Sequence, residues 1–258
     1  MPNLLVERHD GVVRLTLNRP DTMNAITGEM WGELEVAFTE VAQRREDRLL
    51  VITGAGKGFC AGADLLDQDL PEHAGGRLEH MRGVGRSAAA LRAIPKPTVA
   101  AVNGAAAGAG LNLALGCDLV IASDAARFSE IFVKRGLSID YGGSWLLPRL
   151  IGIHKAKELA FLAEVISATE AQQIGIVNRV VPAADLDAAV DELVARLLTM
   201  APLALSETKR LVDQAFSVSF AEAVEAEAMA QVVNMSSPDA TEAVRAFMQK
   251  RDPEFTGD

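Results

Sequence analysis

Thr98-Val99-Ala100-Ala101-Val102-Asn103-Gly104-Ala105-Ala106-Ala107-Gly108-Ala109-Gly110-Leu111-Asn112-Leu113 reads as a buried strand that hands over to a helix through a turn of small residues. Residues 98–102 form a continuous apolar run opened by a threonine, the pattern of a strand covered on both faces, and Asn103-Gly104 stops it. The same order occurs upstream, where Leu49 to Ile52 closes on Thr53-Gly54 and is followed by Gly56-Lys57-Gly58-Phe59-Cys60-Ala61-Gly62-Ala63-Asp64-Leu65. Leu119 to Ala122 is a third buried strand. Strands alternating with helices predict an α/β domain with mostly parallel pairing.

Outward from this core, Leu4 to Arg8 and Val12 to Leu17 flank Asp10-Gly11, a hairpin signal. Thr27 opens a helix with Met30, Trp31, Leu34, Phe38 and Val41 on one face, and a long helix ends before Pro95-Lys96-Pro97. From about Gly142 onward the chain reads as helices apart from Ile176 to Val181, among them Asp185–Met200, Pro202–Phe216, Ser219–Asn234 and Pro238–Lys250. The expected organisation is an α/β core over 1–200 and a helical region over 201–258.

The chain has 258 residues, 49% apolar and 23% charged, enough for a core without disulfides or a structural metal. Its net charge of −10 argues against duplex nucleic acid or an anionic membrane as partner. An aromatic share of 5% argues against base-stacking platforms. Two cysteines, Cys60 and Cys117, cannot build a disulfide framework, which fits a reduced, cytoplasmic setting. No window reaches the roughly 18 apolar residues of a membrane span, and no signal peptide is apparent at the start.

Several familiar chemistries fail on single residues. Gly58 follows Lys57 where a phosphate-binding loop needs Ser or Thr, and Phe59 stands where a dinucleotide fingerprint needs its last glycine. The only tyrosine, Tyr141, has Trp145 rather than lysine four residues on, which removes a short-chain dehydrogenase. His9, His73, His80 and His154 have no zinc spacing, so no metal is expected. Cys60 reads as a small buried thiol rather than a nucleophile.

The two turns of small residues remain. Where a strand meets a helix N-terminus, backbone N–H groups point outward and the dipole favours negative charge. Two such turns side by side can aim two donors at one oxygen, the arrangement of an oxyanion hole. The structural alternative is close strand–helix packing alone.

At these residues the sequence resembles the enoyl-CoA hydratase/isomerase (crotonase) family. The resemblance runs through Leu17-Asn18-Arg19-Pro20, Asn24-Ala25-Ile26, Phe59 to Leu65, Lys96 to Gly104, Trp145 to Gly152, Ala168 to Val181 and Lys250-Arg251-Asp252-Pro253-Glu254-Phe255. It implies a crotonase-type ββα spiral with a helical C-terminal oligomerisation region, forming a trimer or a dimer of trimers. It implies an acyl-CoA thioester as substrate, with coenzyme A part of that substrate and no separate cofactor. The enolate oxygen would be held by the N–H groups of Ala63 and Ala109; Ala109 stands where glycine is commoner. The coenzyme A portion would lie near Asn24, Ala25, Ala61, Asp64 and Leu65, and the acyl pocket would depend on a mobile stretch, Leu66 to Gly85.

The two glutamates that serve water addition in this family correspond to Asn112 and Phe132, neither of which exchanges protons near neutral pH. A third carboxylate position is filled by Asp140, in Gly136-Leu137-Ser138-Ile139-Asp140-Tyr141-Gly142-Gly143, with Ile139 where proline is common. A lone carboxylate suits a 1,3-proton shift, in which one acid removes and returns the proton. Its structural alternative is a cap on the helix beginning near Gly143. Glu130 is a candidate second acid; in an extended run it would share a face with Phe132 as an exposed strand-edge residue. Asp118 reads as structural. The expectation is an isomerase of the branch acting on epoxidised or ring-opened phenylacetyl-CoA and related enoyl-CoA esters. A hydratase-like lyase with altered acids and a non-catalytic acyl-CoA binder are its competitors.

Overall fold

β1 (Leu4–His9) and β2 (Val12–Leu17) pair antiparallel across Asp10 and Gly11, whose φ angles of 48° and 80° give the left-handed pair that a tight hairpin needs. The structure, a computed structural model, describes residues 2–67 and 74–257. Thr27 starts α1 (Gly28–Gln43) by accepting the Met30 N–H at 3.4 Å, and the helix buries Met30, Trp31, Leu34, Phe38 and Val41. It carries the chain over to β3 (Leu49–Gly54), which pairs parallel with β2.

Next come β4 (Gly58–Cys60), α2 (Ala74–Arg92), β5 (Thr98–Val102), β6 (Ala105–Ala107), α3 (Ala109–Gly116), β7 (Leu119–Ser123) and β8 (Arg127–Ser129). Then follow α4 (Gly143–Ile151), α5 (Ile153–Leu162), β9 (Ile166–Ser167), α6 (Ala168–Gln173), β10 (Arg179–Val181) and α7 (Leu186–Leu198). The chain finishes with α8 (Pro202–Gln214), α9 (Phe220–Met235) and α10 (Pro238–Gln249).

Six strands form one sheet in the order β1-β2-β3-β5-β7-β10, and four short strands form a second in the order β4-β6-β8-β9. Each of β3, β5 and β7 passes after a short turn to a three-residue strand of the second sheet, β4, β6 or β8. After β4 and β6 the next regular element is a helix, α2 or α3, so the ββα unit repeats and the chain spirals as expected. β5 is buried at every position, as a central parallel strand should be.

The passage from one sheet to the other demands close backbone approach. A Cβ on Gly104, between β5 and β6, would lie 1.9 Å from the Lys57 carbonyl oxygen, so the two turns stack at a separation only glycine permits. Asn103 fixes the same stack, its amide donating to the Gly56 and Gly58 carbonyls, both at 3.1 Å.

Two expectations are corrected. The small-residue turns contain strands, β4 and β6, rather than loop alone. The strand expected over 176–181 is confined to Arg179–Val181. Of the stretch 66–85, residues 68–73 lie outside the described residues and 74–85 belong to α2, the long helix expected before Pro95.

The chain divides into two compact units, Met1–Ile94 with Thr98–Asp191 and Pro95–Pro97 with Glu192–Asp258. In the second unit, Ser219 and Glu222 make a capping box at the start of α9, and Asp239 accepts the N–H groups of Thr256 and Gly257. Phe216, Phe220, Phe247 and Met248 are each more than 70% exposed there. Among the described residues no helix is long and apolar enough to cross a membrane.

Candidate active site

The first small-residue turn leaves β4 through Ala61 and Gly62, the latter at φ 97°. Ala63 then forms a parallel bridge with Ile26: Ile26 N–H donates to the Gly62 carbonyl and Asp64 N–H to the Ile26 carbonyl, each at 2.8 Å. Such a bridge uses the groups flanking Ala63, so the N–H of Ala63 itself points to the opposite side. The second turn leaves β6 through Gly108, φ 53° and ψ −128°, whose N–H donates to the Ser129 carbonyl at 2.9 Å. Gly108 takes the left-handed backbone, which leaves Ala109 an ordinary first helical residue and removes the difficulty of an alanine there. The Ala109 N–H is therefore one of the free donors at the start of a helix.

The turns touch. A Cβ on Gly62 would lie 2.9 Å from the Ala107 carbonyl oxygen and 3.5 Å from the Ala109 nitrogen. Two backbone donors, one from each turn, thus sit beside the positive end of a wholly buried helix.

Asn112 lies one turn along α3 from Ala109 and is fully buried. Its amide donates to the Asp140 carbonyl at 2.9 Å, and Gly143 N–H donates to the same oxygen at 2.9 Å. Asp140 does not cap α4: the N-cap is Gly142, with no side-chain cap. One carboxyl oxygen of Asp140 is buried without a hydrogen-bond partner among the described residues, and burial pushes its pKa up to about 6. The helix-cap reading of Asp140 is removed.

Glu130 corrects its expected placement. β8 ends at Ser129 and a 3-10 turn, Ile131–Arg135, follows, so the alternation that would have put Glu130 on an exposed edge is absent. The side chain is 1% exposed, and neither carboxyl oxygen finds a partner among the described residues. Burial raises its pKa to about 8; the nearby Asp140 adds to this, and the Asn112 amide works the other way. Phe132 packs its ring against Gly108, so one hydratase acid position is present in space but apolar.

Of the residues expected around coenzyme A, Ala61 and Leu65 are exposed and Ala25 is buried. The Asn24 side chain is fully occupied inside the protein, donating to Ala55 and Gly58 carbonyls and accepting the Arg19 N–H. It holds the loop from within the protein. Asp64 pairs with Arg19 at 2.9 Å, and the same guanidinium nitrogen donates to the Ala25 carbonyl at 2.5 Å. Arg19 thereby ties two separate loops together, a role invisible in sequence because its partners are 6 and 45 residues away.

Cys60 is wholly buried and its thiol is pushed up to about 12, which leaves it inert at neutral pH. Asp118 accepts both the N–H and the hydroxyl of Thr98, as a structural residue should. An apolar cavity of about 450 Å³ reaches Tyr141 and is lined by Ala88, Arg92, Gly116, Trp145 and Leu146. The Tyr141 hydroxyl lies 3.1 Å from that of Ser87, and its ring packs on Trp31.

Residues 7–258 match the family model described as enoyl-CoA hydratase/isomerase. The 1,2-epoxyphenylacetyl-CoA isomerase of Escherichia coli (strain K12) is 38% identical over 261 residues, covering 100% of this chain and 99% of that protein. The short-chain-enoyl-CoA hydratase of Clostridium acetobutylicum is 34% identical over 252 residues, covering 96% of this chain and 95% of that one. A crystal structure of enoyl-CoA hydratase from Bacillus anthracis superposes with a TM-score of 0.95 at 30% identity, and each chain is covered completely.

Proposed function

The chain belongs to the enoyl-CoA hydratase/isomerase family, and we propose that within it this protein is an acyl-CoA isomerase with Asp140 as the proton-carrying base. The observation that supports this reading most is the half-buried Asp140 carboxyl, one oxygen of which is buried without a partner among the described residues, while the two hydratase positions hold Asn112 and Phe132. The thioester oxygen rests between the Ala63 and Ala109 amides. Asp140 takes a proton from carbon, the electron pair moves into the thioester as an enolate, and the two amides stabilise the charge. Reprotonation at a different carbon completes the shift of the double bond. An epoxidised phenylacetyl-CoA rearranges by the same enolate stabilisation, and the identity to the Escherichia coli isomerase supports that substrate class.

A hydratase-like lyase is the second reading. What favours it is the second carboxyl, Glu130, beside Asp140. The two are separated by incubating the protein with 3-enoyl-CoA and with 2-enoyl-CoA in deuterated water. Migration of the double bond with deuterium uptake is expected. Water addition to 2-enoyl-CoA without migration refutes the isomerase, and tight ester binding with neither reaction favours a silent binder.

Arg19→Met should raise the KM for the acyl-CoA ester roughly 3- to 10-fold and leave kcat unchanged, since Arg19 holds the Ala25 and Asp64 loops but does not reach the reacting atoms. Steady-state kinetics check this. The exposed Phe216, Phe220, Phe247 and Met248 support self-association, for which a trimer or dimer of trimers is the expected state by sedimentation velocity.

A further inference from the structure

Glu130 follows the residue whose carbonyl accepts the Gly108 N–H, so its backbone is tied to the turn that delivers the Ala109 amide. Its side chain is 1% exposed, and neither oxygen has a partner among the described residues. Two more buried oxygens nearby are equally without partners, Oδ1 of Asn112 and Oδ1 of Asp140. The Asn112 amide joins the group, donating to the Asp140 carbonyl and lying against Glu130. A buried carboxyl whose one nearby donor, the Asn112 amide, is already bonded to the Asp140 carbonyl carries a desolvation cost that leucine would avoid. A cluster made of acceptors is relieved when one carboxyl holds a proton and when a substrate or water supplies hydrogens.

We propose that Glu130 is a second catalytic acid, so that the proton removed from substrate and the proton delivered to it pass through different carboxyl groups. This rests on the isomerase reading. Asp140, as carboxylate, takes the proton from one carbon, and the C–H electron pair enters the thioester carbonyl as the enolate. When the enolate collapses, the electron pair at the second carbon takes the proton of the Glu130 carboxyl. Asp140 is left neutral and Glu130 anionic; one proton passing from Asp140 to Glu130, directly or through one water, restores both. No oxidant or reductant is involved.

The ionisable group acting on Glu130 from the neighbouring segment is Asp140, and α3 contributes the neutral Asn112. On its own turn, Lys134 is engaged elsewhere, its Nζ donating to the Ala163 carbonyl at 2.7 Å, and Arg135 is exposed. Among the described residues, then, no cation forces Glu130 to ionise. Its pKa of about 8 leaves it largely protonated at neutral pH, while Asp140 at about 6 is largely ionised.

The test is a single turnover in ordinary water with 3-enoyl-CoA deuterated at the carbon that loses its proton. Two carboxyl groups give a product almost free of label in the first turnover, because the delivered hydrogen comes from Glu130. Glu130→Gln should lower kcat at least 100-fold and raise the share of label in the residual product, with ester binding within about 2-fold of wild type. Retention of label by the wild type, or an unchanged kcat in Glu130→Gln, overturns the proposal. A wild type that moves no double bond overturns the isomerase reading along with it. A wild type that isomerises with retained label overturns only the second acid.

Discussion

Asp140→Asn is expected to lower the isomerisation kcat about a thousandfold, with KM within a few-fold of wild type. The asparagine side chain has the volume and shape of the carboxyl, and the Asp140 backbone carbonyl keeps both its donors, Asn112 and Gly143. The proposed contacts of the ester with the Ala63 and Ala109 amides should therefore persist, with only the proton acceptor lost. General acid–base groups contribute about 100- to 10,000-fold, and here the proton has no other ionised carboxylate to go to. The wild-type rate should rise from acid pH with a midpoint near the Asp140 pKa of about 6, because the base must be ionised to act. That limb should vanish in the variant. The same shift fixes a sign for stability. Below the ordinary aspartate range both folded and unfolded chains carry the proton. As pH rises, the unfolded chain releases it first, so stability falls until the folded group has also ionised, above about 6. Asparagine removes this loss. The variant should then be more stable than wild type at pH 8, by on the order of 2–3 kcal/mol, and level with it at pH 3. Unfolding in urea at the two pH values checks both halves, and a variant with wild-type kcat refutes the role of Asp140.

The parts of the molecule legible in sequence are those set by local chemistry. Asp10-Gly11 specifies its hairpin through two left-handed residues, and Thr27 specifies the start of α1 through its own hydroxyl. The long parallel strands show as apolar runs because both of their faces are covered. The second sheet is different. Gly58-Phe59-Cys60 and Ala105-Ala106-Ala107 have weak strand propensity, and they are extended because Gly58 pairs with Ala105 and Ala105 with Arg127, partners 47 and 22 residues distant in the chain. The same division runs through the site. Asp140 and the two amide turns are visible as motifs, each within about ten residues. Glu130 is visible only as a candidate acid and its burial is not, because the 3-10 turn at Ile131–Arg135 replaces the extended run that the sequence suggests. Asn24 shows the same limit: its side chain bonds backbone groups at residues 19, 55 and 58, a structural role that its place in the sequence does not reveal.

Gly110→Ala should cost about 3 kcal/mol of stability and about 100-fold in kcat/KM, although it places the best helix former inside a helix. Gly110 is the second residue of α3 and its φ is not left-handed, so alanine meets no conformational penalty there. Space decides the outcome. An added Cβ would lie 2.3 Å from the Cys60 carbonyl oxygen, 2.7 Å from the Cys60 Cβ and 2.8 Å from its carbonyl carbon. None of these atoms can swing away, since Cys60 is fully buried in β4 and pairs with Ala106 of β6. The N-terminus of α3 must move off the Cys60–Ala63 turn, and overpacking of this kind costs about 1–3 kcal/mol or more. The same displacement draws the Ala109 amide away from the Ala63 amide. Two donors that no longer converge on one oxygen forfeit the stabilisation of the enolate, worth about 100- to 1,000-fold for a single donor. Thermal unfolding should show a midpoint lowered by roughly 6–12 °C. Gly32→Ala is the control: it lies in α1 with nothing within 4 Å of its added Cβ, and should stabilise by about 0.5–1 kcal/mol without changing turnover. If Gly110→Ala keeps both wild-type stability and wild-type turnover, the close approach of α3 to Cys60 does not hold the two amides together.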